Sequence, residues 1–159
     1  MKKTSILTLL ALEFLIVFEM SMVMPLSPVI ARVYDISQDY VTWLNVGFTL
    51  AGFIAPILGR FADRFSMKKM MMISLASFIL GALGIAWTST VVAYFIFRFF
   101  IGIGYYTLLS LIVSYASLII KKENYTRFSG AIKVAFASGV LVAPLLCSWI
   151  EQTFSYQGI

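Results

Sequence analysis

Ionisable side chains are scarce in this chain of 159 residues, and histidine is absent altogether. Only 12% of the residues are charged, and Cys147 is the single cysteine. A lone cysteine excludes intrachain disulfides and clustered Cys/His metal sites, and the lack of histidine excludes histidine acid–base chemistry. The sequence also shows no nucleophile–base set and no glycine-rich phosphate loop after a strand. These absences argue against an enzyme and predict neither a metal site nor a cofactor.

Apolar residues fill most of the remaining positions. They make up 61% of the chain, and the mean hydropathy is +0.96. A soluble domain of this length would carry more charge and shorter apolar runs, so the composition predicts an integral membrane protein. A pI of about 9.4 could indicate a nucleic-acid partner. The basic residues lie at the ends of apolar segments, however, which favours charges that set membrane topology and no nucleic acid.

Five apolar segments have the length to cross a bilayer as helices, for which about 20 residues are needed. They predict an all-α, polytopic bundle of five transmembrane helices. The first segment resembles a signal peptide at its basic start. It is too long for one, carries two glutamates and lacks a clear cleavage site, so we expect it to be retained. The predicted spans are residues 6–30, 41–58, 70–87, 91–120 and 128–150.

The positive charges predict the orientation of these spans. Nine lysines and arginines fall on one side of the membrane, whereas the opposite loops hold only Arg32 together with Asp35, Asp39 and Glu151. By the positive-inside rule the N-terminus is cytoplasmic, and five crossings leave the C-terminal end of this chain outside. The nine residues are Lys2, Lys3, Arg60, Arg64, Lys68, Lys69, Lys121, Lys122 and Arg127.

Four ionisable residues lie inside the predicted spans: Glu13 and Glu19 in the first, Arg98 in the fourth and Lys133 in the fifth. A charge near the middle of a bilayer costs roughly 2.5–3.5 kcal/mol on insertion scales, so such residues usually face a cavity or a partner. Their depths allow Glu19 to pair with Arg98 and Glu13 with Lys133. We expect Glu19 to load and release a proton, since burial raises the pKa of a carboxyl and an approaching cation lowers it. The alternatives are a static glutamate that joins helices and a Lys133 that snorkels towards the cytoplasmic surface.

A short charged hinge, residues 59–69, joins spans two and three. It resembles the signature loop of the major facilitator superfamily, although Ser66 and Met67 depart from that pattern. The resemblance implies that the acidic residue of the hinge latches the outward-facing state by contacting the positive end of a helix. The basic residues could equally be topology anchors. The matching residues are Gly59, Asp63, Arg64, Lys68 and Lys69.

Two further motifs resemble the same superfamily. Arg98, Gly102 and Gly104 resemble its fourth-span motif, in which the arginine is linked to proton coupling. The two glycines would let a neighbouring helix or a substrate approach closely.

The fifth span carries Gly130, Gly139 and Pro144, which resemble the motif that marks the antiporters of the superfamily. Ala143 stands where that motif has a glycine, and a Cys-Ser pair replaces its closing Gly-Gly pair. The alternative reading is an ordinary seam of small residues with a proline kink.

Taken together, the chain resembles the N-terminal part of the twelve-span drug:proton antiporters, and Glu19 resembles their first-span acid. This implies one domain over residues 1–159, five helices of a six-helix half, in a bacterial inner membrane. It also implies proton-coupled export of drugs, metabolites or sugars by alternating access. The expected partners are a small-molecule substrate, protons, the bilayer, and either the missing C-terminal half or another copy of the chain.

Two other functions remain open at the level of the sequence. A half-size transporter could work by oligomerising, and a nontransporting membrane protein could serve as an assembly partner. The final residues, 154–159, resemble the lead-in to a sixth helix, which favours a piece of a larger transporter.

Overall fold

A computed structural model describes residues 3–64 and 66–154, with the side chains of residues 5–60 and 66–150. Every element in these ranges is an α-helix: α1 (Lys3–Met22), α2 (Ser27–Val33), α3 (Gln38–Leu44), α4 (Val46–Arg64), α5 (Met67–Trp87), α6 (Val91–Ile119) and α7 (Lys122–Phe154). The predicted all-α bundle is confirmed, with five candidate membrane spans at Ser5–Met22, Gln38–Arg60, Met67–Trp87, Val91–Ile119 and Lys122–Ile150. Of the tail that resembles the lead-in to a sixth helix, residues 154–159, the backbone of Phe154 ends α7, and residues 155–159 lie outside the described residues.

The first predicted span, residues 6–30, is wrong as a single helix. α1 ends at Met22, and a turn that contains Pro25 separates it from α2, which begins at Ser27. Proline has no backbone N–H, and its ring clashes with the carbonyl four residues earlier, so a helix is interrupted here. The apolar run continues through the break, which is why hydropathy alone did not reveal it.

The end of α2 is a Schellman motif centred on Asp35, whose φ of 51° is left-handed. The Asp35 N–H donates to the Arg32 carbonyl at 3.4 Å, and the Ile36 N–H donates to the Ala31 carbonyl at 2.9 Å. These two bonds satisfy carbonyls that the end of a helix leaves without partners. The chain therefore turns sharply between the first and second spans.

The second span begins earlier than predicted, since α3 starts at Gln38, and Asn45 separates α3 from α4. α7, in the fifth span, begins at Lys122 and not at residue 128 as predicted. α5, which follows the hinge, begins at Met67 and not at residue 70. Lysine and arginine are good helix formers, so a helix can continue from lipid into water. Two prolines, Pro56 and Pro144, lie inside helices.

The described helices form two compact units. In the first, α1 packs along α7. The second, Val29–Tyr115, contains α3, α4, α5 and most of α6. α6 is the most buried of the five candidate spans, with half of its apolar window covered. Among the described residues of the second unit, α6 supplies more buried apolar side chains than any other helix.

A tyrosine joins the two turns of the second unit that precede α3 and α6. The Tyr34 hydroxyl donates to the Thr88 carbonyl at 3.1 Å, and its ring lies edge-on to Tyr94 with 5.3 Å between centroids. Burial raises the pKa of Tyr34 above its usual value of 10.0. The folded state therefore holds this proton more tightly than the unfolded state. The resulting stabilisation is fully present below the usual pKa of 10.0 and is lost as the pH rises above it, through the higher pKa of the folded state.

We expect Tyr34→Phe to lower the free energy of unfolding by about 0.5–1.5 kcal/mol near neutral pH, because the Thr88 carbonyl loses its donor. The variant should also lose less stability than the unchanged protein as the pH rises from about 8 to about 11. Melting temperatures in detergent across this range measure both effects. Tyr40→Phe, at an exposed tyrosine, is the matched control, and an equal response of the two variants would contradict the expectation.

Candidate functional site

Small residues allow α6 to approach α4 at backbone distance. A Cβ built on Gly102 would lie 2.5 Å from the Phe48 carbonyl oxygen and 2.7 Å from the Ala51 Cβ. A Cβ on Gly47 would lie 2.8 Å from the Phe95 carbonyl oxygen. The first of these glycines was singled out in the sequence, and the structure places it against the neighbouring helix. Gly47 was missed because it belongs to no recognised motif.

The opposite side of α6 makes the same kind of contact with α5. A Cβ on Gly104 would lie 2.6 Å from the Phe78 Cβ and 2.7 Å from the Ser74 carbonyl oxygen. In return, a Cβ on Gly81 would lie 2.6 Å from Cγ1 of Ile101. Glycines that permit such close approach are typical of packed membrane helices. Gly81 was missed by the sequence reasoning, although its neighbour three residues on, Gly84, forms a small-residue pattern with it.

Arg98 lies on α6 within this packed region and is only 1% exposed. Its Nε and Nη2 both donate to Oδ1 of Asn45, at 3.2 and 2.9 Å. Its guanidinium carbon also lies 5.0 Å from the centroid of the Phe48 ring, a cation–π contact. We call Asn45 and Phe48 the Arg98 clamp. Both of its members are uncharged, so they hold a cation without neutralising it.

The two clamp residues are themselves held in place. The Asn45 N–H donates to the carbonyls of Val41 and Thr42, both at 3.2 Å. The Phe48 ring packs on the rings of Tyr105 and Tyr106, with centroids 5.2 and 5.3 Å away. Asn45 was missed in the sequence reasoning, and the available signal was a polar amide in an otherwise apolar span.

In the first unit, Glu13 and Lys133 do not pair, although their depths in the membrane are similar. Glu13 is 4% exposed, and its Oε2 has no hydrogen-bond partner, whereas Lys133 is exposed. No ion pair joins them in the part of the chain whose side chains are described. Equal depth fixes a position along a helix axis but not the side of the helix that a residue occupies. The exposed lysine agrees with the snorkelling alternative.

Glu19 is half-buried on α1. It lies six residues beyond Glu13, which places the two carboxyl groups about 9 Å apart along the axis and on different sides of the helix. The pairing of Glu19 with Arg98 and the role of Glu19 as a titrating group stay predictions.

The predicted span-five motif lies on α7. A Cβ on Gly139 would lie 3.1 Å from both the Phe14 carbonyl oxygen and the Phe18 nitrogen, so this glycine packs tightly against α1. A Cβ on Gly130 would meet nothing within 4 Å. Pro144 lies inside α7 and is half-buried. The structure thus brings Gly139, but not Gly130, into a helix contact.

The hinge is described only in part. A Cβ on Gly59 would meet nothing within 4 Å, and Lys68 and Lys69 are exposed. The backbones of Asp63 and Arg64 form the last turn of α4, and their side chains lie outside the described residues. The C-terminal end of a helix disfavours an anion, so a stabilising helix N-terminus for Asp63 has to come from another helix.

Among the residues described, no group of three or more His, Cys, Asp or Glu could hold a metal ion. An open depression of about 300 Å³ lies at the start of α7 and is lined by Ser117, Ile120, Lys122 and Tyr125. The charged and tightly packed groups of interest are instead Arg98 with its clamp, and the two glutamates of α1.

The chain belongs to the Major Facilitator Superfamily, whose sequence model matches residues 9–159. It is therefore a multi-pass membrane protein of a family whose members are transporters. No solved structure matches the chain significantly.

Three bacterial resistance proteins are similar to the chain. It is 23% identical to multidrug resistance protein 2 of Bacillus subtilis over 90% of the chain and 36% of the relative. It is 27% identical to the class H tetracycline resistance protein of Pasteurella multocida over 89% and 36%. It is 26% identical to multidrug resistance protein 1 of Bacillus subtilis over 97% and 40%. The chain thus spans well under half the length of these relatives.

Proposed function

We propose that this protein exports small molecules across a bacterial inner membrane in exchange for protons, by alternating access. The observation that carries the proposal is Arg98, a permanent cation that is buried in a membrane helix and donates to the amide oxygen of Asn45. Buried ionisable residues in membrane spans are costly and mark transport pathways or proton relays. Membership of the superfamily and the resistance proteins among the relatives support export of drug-like compounds.

The proposed coupling uses a carboxyl group whose proton is displaced by a cation. A nearby positive charge favours the ionised form of an acid, and burial away from water favours the protonated form. A site that alternates between these environments binds a proton on one side of the membrane and releases it on the other. Glu19 is our first candidate for this acid, Glu13 the second, and Arg98 the cation. Asp63 would act at the hinge, as a latch between conformations.

The proposed transport cavity needs more membrane-spanning helices than the five described in this chain. The relatives are more than twice as long as the part that aligns, and transporters of this type bind substrate between two halves. We therefore propose that the cavity is completed by further spans, from the same polypeptide or from another copy.

The test is transport in everted membrane vesicles that contain the full-length protein. An acidic vesicle interior should drive accumulation of tetracycline or a lipophilic cationic dye, and a protonophore should abolish it. Arg98→Ala should reduce accumulation to that of vesicles without the protein, whereas Arg127→Ala, at an exposed arginine, should not. Accumulation that is unchanged by the protonophore would contradict proton coupling. Stable binding of a partner protein without any flux would identify an assembly partner.

The proposed orientation has its own test. In a Cys147→Ser background, Lys121→Cys should react with a membrane-impermeant thiol reagent only in everted vesicles. Asp39→Cys should react only in right-side-out vesicles. Both positions are exposed. Labelling of both from the same face would contradict the predicted topology.

A further inference from the structure

We propose that Asn45 is a positioning residue, which fixes the guanidinium of Arg98 without adding a charge of opposite sign. The contact itself is independent of activity, but its role in coupling rests on the proposed function. Asn45 lies in the second span and Arg98 in the fourth, 53 residues apart in sequence. The second span is thereby assigned a part in coupling beside the charged residues of the other spans.

The geometry of the contact fixes the position of the guanidinium more firmly than one hydrogen bond would. Arg98 Nε and Nη2 form one edge of the planar group, and both donate to the same amide oxygen, at 3.2 and 2.9 Å. Two donors from a rigid fork restrict rotation of the group as well as its distance. Phe48 covers the guanidinium from a second direction, at 5.0 Å.

The uncharged character of Asn45 matters because of where it lies. Arg98 is 1% exposed, and a buried cation needs hydrogen-bond acceptors. An aspartate in the same place would supply them, and would also be a permanent ionic partner that competes with any acid on which Arg98 acts. The amide oxygen of Asn45 accepts from Nε and Nη2 and adds no negative charge beside Arg98. Asparagine is therefore suited to positioning a cation that acts electrostatically on a separate acidic group.

The backbone of Asn45 is hydrogen-bonded to both helices of the second span, α3 and α4. Its N–H donates to the Val41 and Thr42 carbonyls of α3, while its own carbonyl accepts from the Thr49 N–H in α4, at 3.2 Å. Asn45 itself is the single residue between these two helices. A change in the angle between α3 and α4 would move the amide oxygen and the guanidinium together. The contact thus ties the orientation of Arg98 to the break in the second span.

The first experiment tests the contact without any transport assay. Melting temperatures in detergent are compared for Asn45→Ala alone, Arg98→Met alone and the double variant. We expect Asn45→Ala to lower the melting temperature of the unchanged protein but not that of Arg98→Met, where no guanidinium remains to be held. Asn124→Ala, at the other asparagine and exposed, should behave alike in both backgrounds. An equal fall caused by Asn45→Ala in both backgrounds would overturn the contact.

The second experiment tests the role in coupling, in vesicles with an imposed proton gradient. Asn45→Ala should lower turnover by about tenfold or more while KM changes by less than about threefold, because the reacting geometry is lost rather than substrate binding. Asn45→Asp keeps an acceptor oxygen, so it should keep the melting temperature of the unchanged protein and still lose proton-driven turnover. Substrate exchange without a gradient should persist in Asn45→Asp.

The outcomes separate the inference from the proposed function. If the unchanged protein shows no proton-driven transport, the proposed function fails, and the melting comparison still judges the contact. If the unchanged protein transports and Asn45→Asp transports equally well, the need for an uncharged residue is wrong. If Asn45→Ala transports normally, the positioning role is wrong. Asn124→Asp is the matched control for the added charge and should leave turnover unchanged.

Discussion

Gly102→Ala is expected to lower the free energy of unfolding by about 1–3 kcal/mol, the usual cost of overpacking a tight core. The added methyl group would lie 2.5 Å from the Phe48 carbonyl oxygen and 2.7 Å from the Ala51 Cβ. The first of these atoms belongs to the backbone of α4 and cannot rotate away. Relief requires the helices to separate, which also disturbs the adjacent cation–π contact with Arg98.

The measurement is thermal unfolding of the detergent-solubilised protein. Gly130→Ala provides the matched control, since it makes the same chemical change inside a helix where a Cβ meets nothing within 4 Å. Alanine is favoured over glycine in a helix by roughly 0.5–1 kcal/mol, so this variant should be as stable as the unchanged protein or more stable. Similar melting temperatures for the two variants would show that α4 and α6 do not pack as described.

The second large effect is expected from Glu19→Gln, which should reduce proton-driven export to the level of empty vesicles. Glutamine has nearly the same shape as glutamate but cannot bind and release a proton in this way. If Glu19 is the coupling acid, a substrate gradient should still drive exchange in the variant, because exchange needs no net proton movement. Export under an imposed pH gradient, followed with a fluorescent substrate, measures the loss.

Glu123→Gln, which removes an exposed carboxylate in the first turn of α7, is the control for a loss of charge. It should export normally. Glu13→Gln tests the second candidate acid under the same conditions. Unchanged export by Glu19→Gln would remove Glu19 from the proposal, and loss of export in Glu13→Gln alone would assign the role to Glu13.

The number and order of the spans could be predicted from the sequence, because apolar length alone determines whether a segment can cross lipid. The interruption near Pro25 could not be predicted in this way, since the residues around it are as apolar as a helix in lipid. The start of α7 at Lys122 was also missed, because hydropathy reports the polarity of a residue and not whether the backbone is helical there.

The candidate site was predicted in part. Arg98 was identified as an ionisable residue inside a predicted span, and the resemblance to a known motif pointed to both Arg98 and Gly102. The structure places both residues on α6. The contact of Arg98 with Asn45 could not be predicted, because it depends on how two helices rotate about their own axes. The rotation of each helix about its axis also explains why Glu13 and Lys133 do not pair, although they lie at a similar depth in the membrane.

The small residues on opposite sides of α6 have a mechanical consequence. Gly102 is pressed against α4 and Gly104 against α5, so α6 cannot slide or turn without colliding with a neighbour on one side. The packed parts of α4, α5 and α6 should therefore move together as a rigid block. Bending would then be confined to segments where the chain already departs from a helix, such as the residue between α3 and α4.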